Sequence, residues 1–325
     1  GLEVSSYVQV DDTGARHDGK NGYCTYIGND LFAWYGSTGS KSRINFLELL
    51  SAGKIQYRLS TKAFDYLVEE NLSNQVIKNL RSSTRRVFKS QTEWREHLAQ
   101  LGISRVRHVR LITEAALYSA LIFAGFNSDL VIPSDDAGRF NIPLQPHALC
   151  WIHAERAIKR LVPMTDRQRE DQSEIANDFW QLYRALKDYQ ERPTKRRRQQ
   201  IEHNFDDLFK RRTSFESLNL ALKRIYANRT ELLMVLSHPA LPLHNNSAES
   251  DIREYVKRRK VSGGTRSECG QRSRDTFTAL KKTCRKLGIS YWLYLRDRLA
   301  KAGKINYLPA LIREAVLMPS LTAAS

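Results

Sequence analysis

Residues 7–14, Tyr7-Val8-Gln9-Val10-Asp11-Asp12-Thr13-Gly14, set a β-rich run directly against two acids and a glycine. The run reads as a strand. Its acids read either as turn residues ahead of Thr13-Gly14 or as donors held at a strand. Tyr23-Cys-Thr-Tyr-Ile27 and Leu31-Phe-Ala-Trp-Tyr35 follow as two more strands, with a tight turn at Gly28-Asn29-Asp30, so the chain opens as a three-stranded meander. Acids meet a strand a second time where Leu130-Val-Ile132, short and apolar, runs into Ser134-Asp135-Asp136. Ala148-Leu-Cys-Trp-Ile152 is expected as a fifth strand, followed by a helix over 154–161.

Helical spacing fills the rest. Ser42 to Leu50 places Ile44, Leu47 and Leu50 on one face, and 60–125 is mostly helical, with a start at Thr92-Glu93 and an apolar helix over 114–124 that should pack on a sheet. Residues 166–237 form a long helical block, interrupted by the basic turn Arg192-Pro-Thr-Lys-Arg-Arg-Arg198 and ended by Pro239 and Pro242. A helix begins at Asn246, Gly263-Gly264 closes a basic tract, and two more helices are expected before a frayed MPSLTAAS tail. Strands, helices, two strands, a helical insertion and further helices make an α/β chain with acids at strand ends. The expected division is an α/β domain begun by 1–154, with 51–125 an extra helical segment, a helical insertion over 155–240, and the rest of the α/β domain over 241–325.

Among the 325 residues, 52 Lys and Arg stand against 35 Asp and Glu, a formal charge of +17 that suits a polyanion, because each neutralised phosphate releases counterions. No apolar run approaches the roughly 20 residues of a membrane span, and the first residues lack a signal-peptide pattern. The protein is therefore expected in the cytoplasm, away from membranes. Cys24, Cys150, Cys269 and Cys284 are scattered without a CxxC pair, and reduced thiols are expected.

Carboxylates suit hard divalent ions, and two such ions roughly 3.5–4 Å apart serve phosphoryl transfer. Asp11 and Asp12 are neighbours on a strand and point to opposite faces, so one of the two can serve a site; Asp135 and Asp136 pose the same choice. Asn246-Ser-Ala-Glu249 fits a capping box, in which Glu249 reaches back to the N-cap backbone. The same first-turn position, beside the positive end of the helix dipole, also suits a metal ligand. His147, Cys150 and His153 are evenly spaced, but on a strand Cys150 points away from the two histidines, which argues against zinc there.

Four motifs carry a resemblance. Val10-Asp-Asp-Thr13 resembles the D-E-T opening of the transposases of the insertion-sequence 66 family. Ser134-Asp-Asp-Ala-Gly-Arg-Phe140 resembles their D-G-Y-A-x-Y stretch, Cys150-Trp-Ile-His-Ala-Glu-Arg156 their C-W-x-H-x-R-R, and Asn245-Asn-Ser-Ala-Glu-Ser-Asp-Ile-Arg253 their N-N-x-A-E-x-x-x-R. Arg259-Lys260 falls at their R-K pair. The motifs run in family order from about residue 8 to about residue 300.

The resemblance implies a ribonuclease H-like mixed sheet flanked by helices, with a helical insertion between the fifth strand and the helix of the catalytic Glu. It implies Asp11, Asp135 and Glu249 as catalytic and metal-binding residues, two Mg²⁺ or Mn²⁺ ions as cofactors, and double-stranded DNA, both transposon ends and target, as substrate. Hydrolysis at the ends and strand transfer of the 3′-OH would follow, in a homodimer or higher oligomer when ends are synapsed, with accessory transposition proteins as further partners. The family's N-terminal DNA-binding region is expected to be missing ahead of the first strand, and 51–125 is longer than in compact members. DNA contacts are expected from His153 and Arg156, from Lys195, Arg196, Arg197 and Arg198, from Asn245 and Asn246, and from Arg253, Lys257, Arg258, Arg259, Lys260 and Arg266. The alternatives are a stand-alone nuclease on the same fold, which cleaves without joining, and a DNA-binding remnant that no longer catalyses.

Overall fold

The computed structural model describes residues 1–317, so the MPSLTAAS tail lies outside the described residues. The chain is mixed α/β and divides into two compact units. The first takes in 1–130, 138–146 and the chain from 248 onward; the second takes in 131–137 and 147–247.

The first unit opens with β1 (Gln9–His17), β2 (Lys20–Gly28) and β3 (Ala33–Thr38), an antiparallel sheet in that order. The meander is as expected, but its first turn is not at Thr13-Gly14. His17 pairs with Lys20 across Asp18-Gly19, whose φ angles of 44° and 71° are the left-handed geometry that a two-residue hairpin requires. Asp11 and Asp12 are therefore strand residues, and the turn reading of the pair is corrected. The strand runs through Gly14 because the ladder to β2 continues unbroken from Gln9 to His17.

Next come α1 (Arg43–Leu50), β4 (Tyr57–Arg58), α2 (Thr61–Glu69), α3 (Asn74–Arg81), β5 (Val87–Phe88), α4 (Gln91–Gln100) and α5 (Val106–Phe123). Ser42 caps α1 by accepting the Asn45 N–H at 3.1 Å. The middle of α5 is buried, including Glu114, whose carboxylate is compensated by Arg43 at 3.1 Å and the Tyr66 hydroxyl at 3.2 Å.

The second unit holds β6 (Ile132–Ser134) and β7 (His147–Leu149), a parallel pair, then α6 (Trp151–Lys159), α7 (Asp166–Glu191), α8 (Lys195–Phe209), α9 (Glu216–Ala227) and α10 (Arg229–Leu232). Its core gathers Trp151, Phe179, Leu186, Phe205, Leu218 and Leu222. The expected fifth strand stops at Leu149, because Trp151 is already helical. The Trp151 N–H donates to Leu243 O and its indole N–H to Leu232 O, both at 2.9 Å.

The first unit resumes within α11 (Asn246–Ser262) and adds α12 (Glu268–Lys286), α13 (Tyr291–Leu299) and α14 (Leu308–Leu317). Among the described residues three helices follow α11 where two were expected; Lys301 and Gly303, both at positive φ, separate the last two. β4 pairs antiparallel with β5, and β6 pairs parallel with β7. No described helix is long and apolar enough to cross a membrane.

Candidate active site

The register of the sheet puts Asp11 and Asp12 on opposite faces. Asp11 pairs with Tyr26, Thr13 with Cys24 and Ala15 with Gly22, and directly paired residues share a face of an antiparallel sheet. That face is the one that α11 covers: Ala15, Cys24, Tyr26, Ala33 and Tyr35 pack with Ala248, Ile252 and Tyr255. Asp11 therefore projects to the α11 side. Asp12 projects to the other, where its side chain, only 3% exposed, meets Lys41 Nζ at 2.6 Å and the Arg139 guanidinium.

Hydrogen bonds fix the level of α11 along the strand. Tyr26, which faces Asp11 across the ladder, donates its hydroxyl to Asp251 Oδ2 at 2.9 Å, and the Tyr35 hydroxyl donates to Asp251 O at 2.8 Å. Burial and the Asp251 charge raise the Tyr26 phenol well above its ordinary range, so it remains a donor. Lys282 and Lys286 each reach Asp251 at 2.8 Å. Glu249 is two residues back from Asp251, about 3 Å of helical rise, and about 100° round from the buried Ala248. It is half-buried on the flank of α11, in the first turn. At the other end of the helix Arg259 bonds Gly14 O and Thr13 Oγ1. Asp11 and the Glu249 helix thus belong to one side of one sheet. The Asp11 carboxylate is itself oriented, because its Oδ1 accepts the Asp12 N–H at 2.7 Å.

Counted from Asn246, Glu249 is the fourth residue of α11.

Asp135 belongs to the second unit, immediately after β6. Its Oδ1 is buried and makes no hydrogen bond. A carboxylate oxygen in that condition suits a cation, since burial without a partner is costly for it. Asp136 is exposed and lines a cleft with Leu149, Cys150 and His153. Three carboxylates are the donor type that hard divalent ions prefer, and the Asp135 oxygen fits such an ion. Among the described residues, no three His, Cys, Asp or Glu side chains form a ready-made ligand group.

The segment of His147, Cys150 and His153 is not one strand. His147 is on β7, Cys150 caps α6 and His153 lies within that helix. His147 Nε2 is engaged by Ser134 Oγ at 2.7 Å, and burial lowers its pKa to about 4, so the ring is neutral. His153 and Arg156 contact each other at 3.3 Å, one turn apart.

The basic candidates differ in accessibility. Arg253, Lys257 and Lys260 are exposed and fall within a stripe of roughly 60° on α11, adjoining the flank of Glu249. Arg258 is turned to Thr278, and Arg259 to β1. Arg266 is exposed beyond the helix, while Asn245 is buried and Asn246 exposed at its start. Lys195 to Arg198 form the exposed first turn of α8, capped by Thr194, rather than a turn between helices; Arg197 bonds Asp188 O and Arg192 O, and Arg198 pairs with Glu202.

Sequence reasoning missed Lys41 and Arg139 as partners of Asp12, and Lys282 and Lys286 as partners of Asp251. Arg139 stands inside the Ser134–Phe140 motif, and an arginine four residues past a candidate acid was the available signal.

Comparison with known proteins adds three findings. Residues 134–273 match the family described as Transposase IS66 family. An uncharacterized protein of Sinorhizobium fredii, y4jO, is 41% identical over 315 residues, covering 96% of this chain and 98% of its own length. No solved structure matches.

Proposed function

Because the chain belongs to the IS66 family of transposases, we propose that it cuts DNA at transposon ends and joins the freed 3′-OH to target DNA, with Asp11, Asp135 and Glu249 as the metal-holding acids on a ribonuclease H-like fold. The observation that carries the reading is the division of labour on β1: Asp11 faces the helix of Glu249, while Asp12 faces away and is committed to two cations.

Two divalent ions held by such acids supply activation of the attacking oxygen and stabilisation of the leaving one. The chain's own residues do the rest. The Asp12 amide fixes one oxygen of Asp11. Arg253, Lys257 and Lys260 hold backbone phosphates on the flank next to Glu249, which positions the strand without reading its sequence. In the first reaction an oxygen of water bonds to phosphorus and the 3′ oxygen leaves. In the second that 3′ oxygen bonds to a target phosphorus and the target's own 3′ oxygen leaves, both by in-line displacement.

The test uses the transposon's end DNA with Mg²⁺ or Mn²⁺ and a supercoiled target. Cleavage followed by joining supports the proposal; cleavage without joining identifies a nuclease; DNA binding without cleavage identifies an inactive remnant. Asp11→Ala, Asp135→Ala and Glu249→Ala are each expected to lower cleavage by at least about a thousandfold while DNA affinity and melting temperature stay near those of the parent. A variant of the three that still cleaves removes its residue from the acid set.

A further inference from the structure

The proposed reaction leaves the cluster on the far face of β1 unexplained. Asp12 is 3% exposed at its side chain, and two cations converge on it, Lys41 at 2.6 Å and Arg139. Arg139 is 17% exposed, and its guanidinium lies 4.3 Å over the ring of Phe140. Phe140 is itself fully buried, edge-on to Phe46 of α1 at 5.0 Å. Arg43 of the same helix bonds Gly138 O at 3.1 Å. The segment that follows Asp135 in the chain is therefore fastened to β1 and α1 by an ion pair, a ring contact and a backbone bond. The residue at the centre, Asp12, is also the one whose N–H holds Asp11 Oδ1 at 2.7 Å.

We propose that Asp12, Lys41 and Arg139 form a positioning cluster for the reaction: by locking Asp12 they hold the Asp11 carboxylate in one orientation, and they anchor the segment leading away from Asp135. The inference rests on the catalytic reading of Asp11 given above. Such a cluster touches neither DNA nor the reacting atoms. Groups that orient a metal-holding carboxylate are commonly worth about 10- to 100-fold in metal affinity or rate, against the larger loss when the carboxylate itself is removed.

The experiment compares Asp12→Asn, Arg139→Gln, Arg139→Lys and Lys41→Met in the full chain, with Asp11→Asn as the reference. Three quantities are measured well below each melting temperature: single-turnover cleavage at saturating end DNA, DNA affinity, and Mn²⁺ binding to the protein–DNA complex by electron paramagnetic resonance. Asp12→Asn and Arg139→Gln are expected to weaken Mn²⁺ binding and slow cleavage about 10- to 100-fold with DNA affinity unchanged, and Arg139→Lys to recover part of the loss. Should Asp12→Asn fail to fold, Arg139→Gln and Lys41→Met carry the comparison. Parental Mn²⁺ binding and cleavage in the folded variants, with Asp11→Asn inactive, would overturn the positioning cluster and leave the catalytic reading standing. An active Asp11→Asn would overturn the catalytic reading and the cluster's role with it.

Discussion

Asp275 is 8% exposed and its carboxyl meets the Ser37 N–H at 2.8 Å and the Ser37 hydroxyl at 3.0 Å, among Cys24, Tyr255 and Arg274. Burial dominates these bonds and raises its pKa from 3.8 to about 6. The folded chain then holds this proton more tightly than the unfolded chain does, so stability falls as pH rises from about 4 to about 6 and levels off above. A carboxyl displaced that far carries about 3 kcal/mol at most. Asp275→Asn keeps the shape and an acceptor and removes the charge. Its melting temperature should exceed the parent's at pH 8, and the gain should vanish at pH 4. A gain that does not change with pH would mean that the carboxyl is already neutral in the parent or that its charge is compensated. At the same scale, the choice between Asp11 and Asp12 was open to strand alternation alone. Only the ladder to Tyr26, and the packing of that ring beneath α11, says which of the two faces the helix. The pairing of Asp12 with Lys41 and Arg139 was out of reach for a simpler reason: Arg139 stands in a legible motif, but no local pattern links residue 12 to residue 41 or to residue 139.

The seating of α11 depends on Asp251 as much as on its apolar face. One buried carboxylate receives the Tyr26 hydroxyl and the ammonium groups of Lys282 and Lys286, which are 13% and 12% exposed. Removing one member of a buried charge group leaves the others uncompensated, at about 3–5 kcal/mol. Asp251→Ala should therefore lower the urea midpoint sharply, and Asp251→Ala combined with Lys282→Met should recover part of the loss. A loss below about 1 kcal/mol would place those lysines effectively in water. The elements themselves were legible to differing degrees. The meander, the helix after Ser42 and the basic helix from Asn246 follow from alternation, capping and periodicity. The boundary between β7 and α6 was not legible, because a short apolar run such as Ala148 to Ile152 has no period that separates strand from helix. Trp151 is helical on account of two bonds to Leu232 and Leu243, both distant in sequence. The same distance effect hid the short β4–β5 pair, since pairing partners are not written in a strand's own composition.

At the scale of the whole molecule, the charge of +17 is divided between surfaces with different expected duties. Neutralising Arg253, Lys257 and Lys260 together, or Lys195 to Arg198 together, should weaken DNA binding and flatten its salt dependence, by about 0.9 in the logarithmic slope for each phosphate left without its cation. Only the α11 set should also slow cleavage at saturating DNA, because it adjoins the flank of Glu249 and displacing a scissile phosphate by about an ångström is costly. Equal single-turnover rates in the two variants would make the α11 stripe a binding surface alone, and unchanged affinity in both would put the DNA path elsewhere. The first unit has a further consequence, one of timing. The helix that covers Cys24, Tyr26 and Tyr35 is encoded more than two hundred residues after the strands it covers. At about 5–20 residues per second, the ribosome delivers that cover roughly ten to fifty seconds after the strand of Asp11. Throughout that interval the nascent chain exposes an apolar face and lacks Glu249, so on the proposed assignment it is both dependent on protection from chaperones and unable to cut the DNA from which it is being expressed.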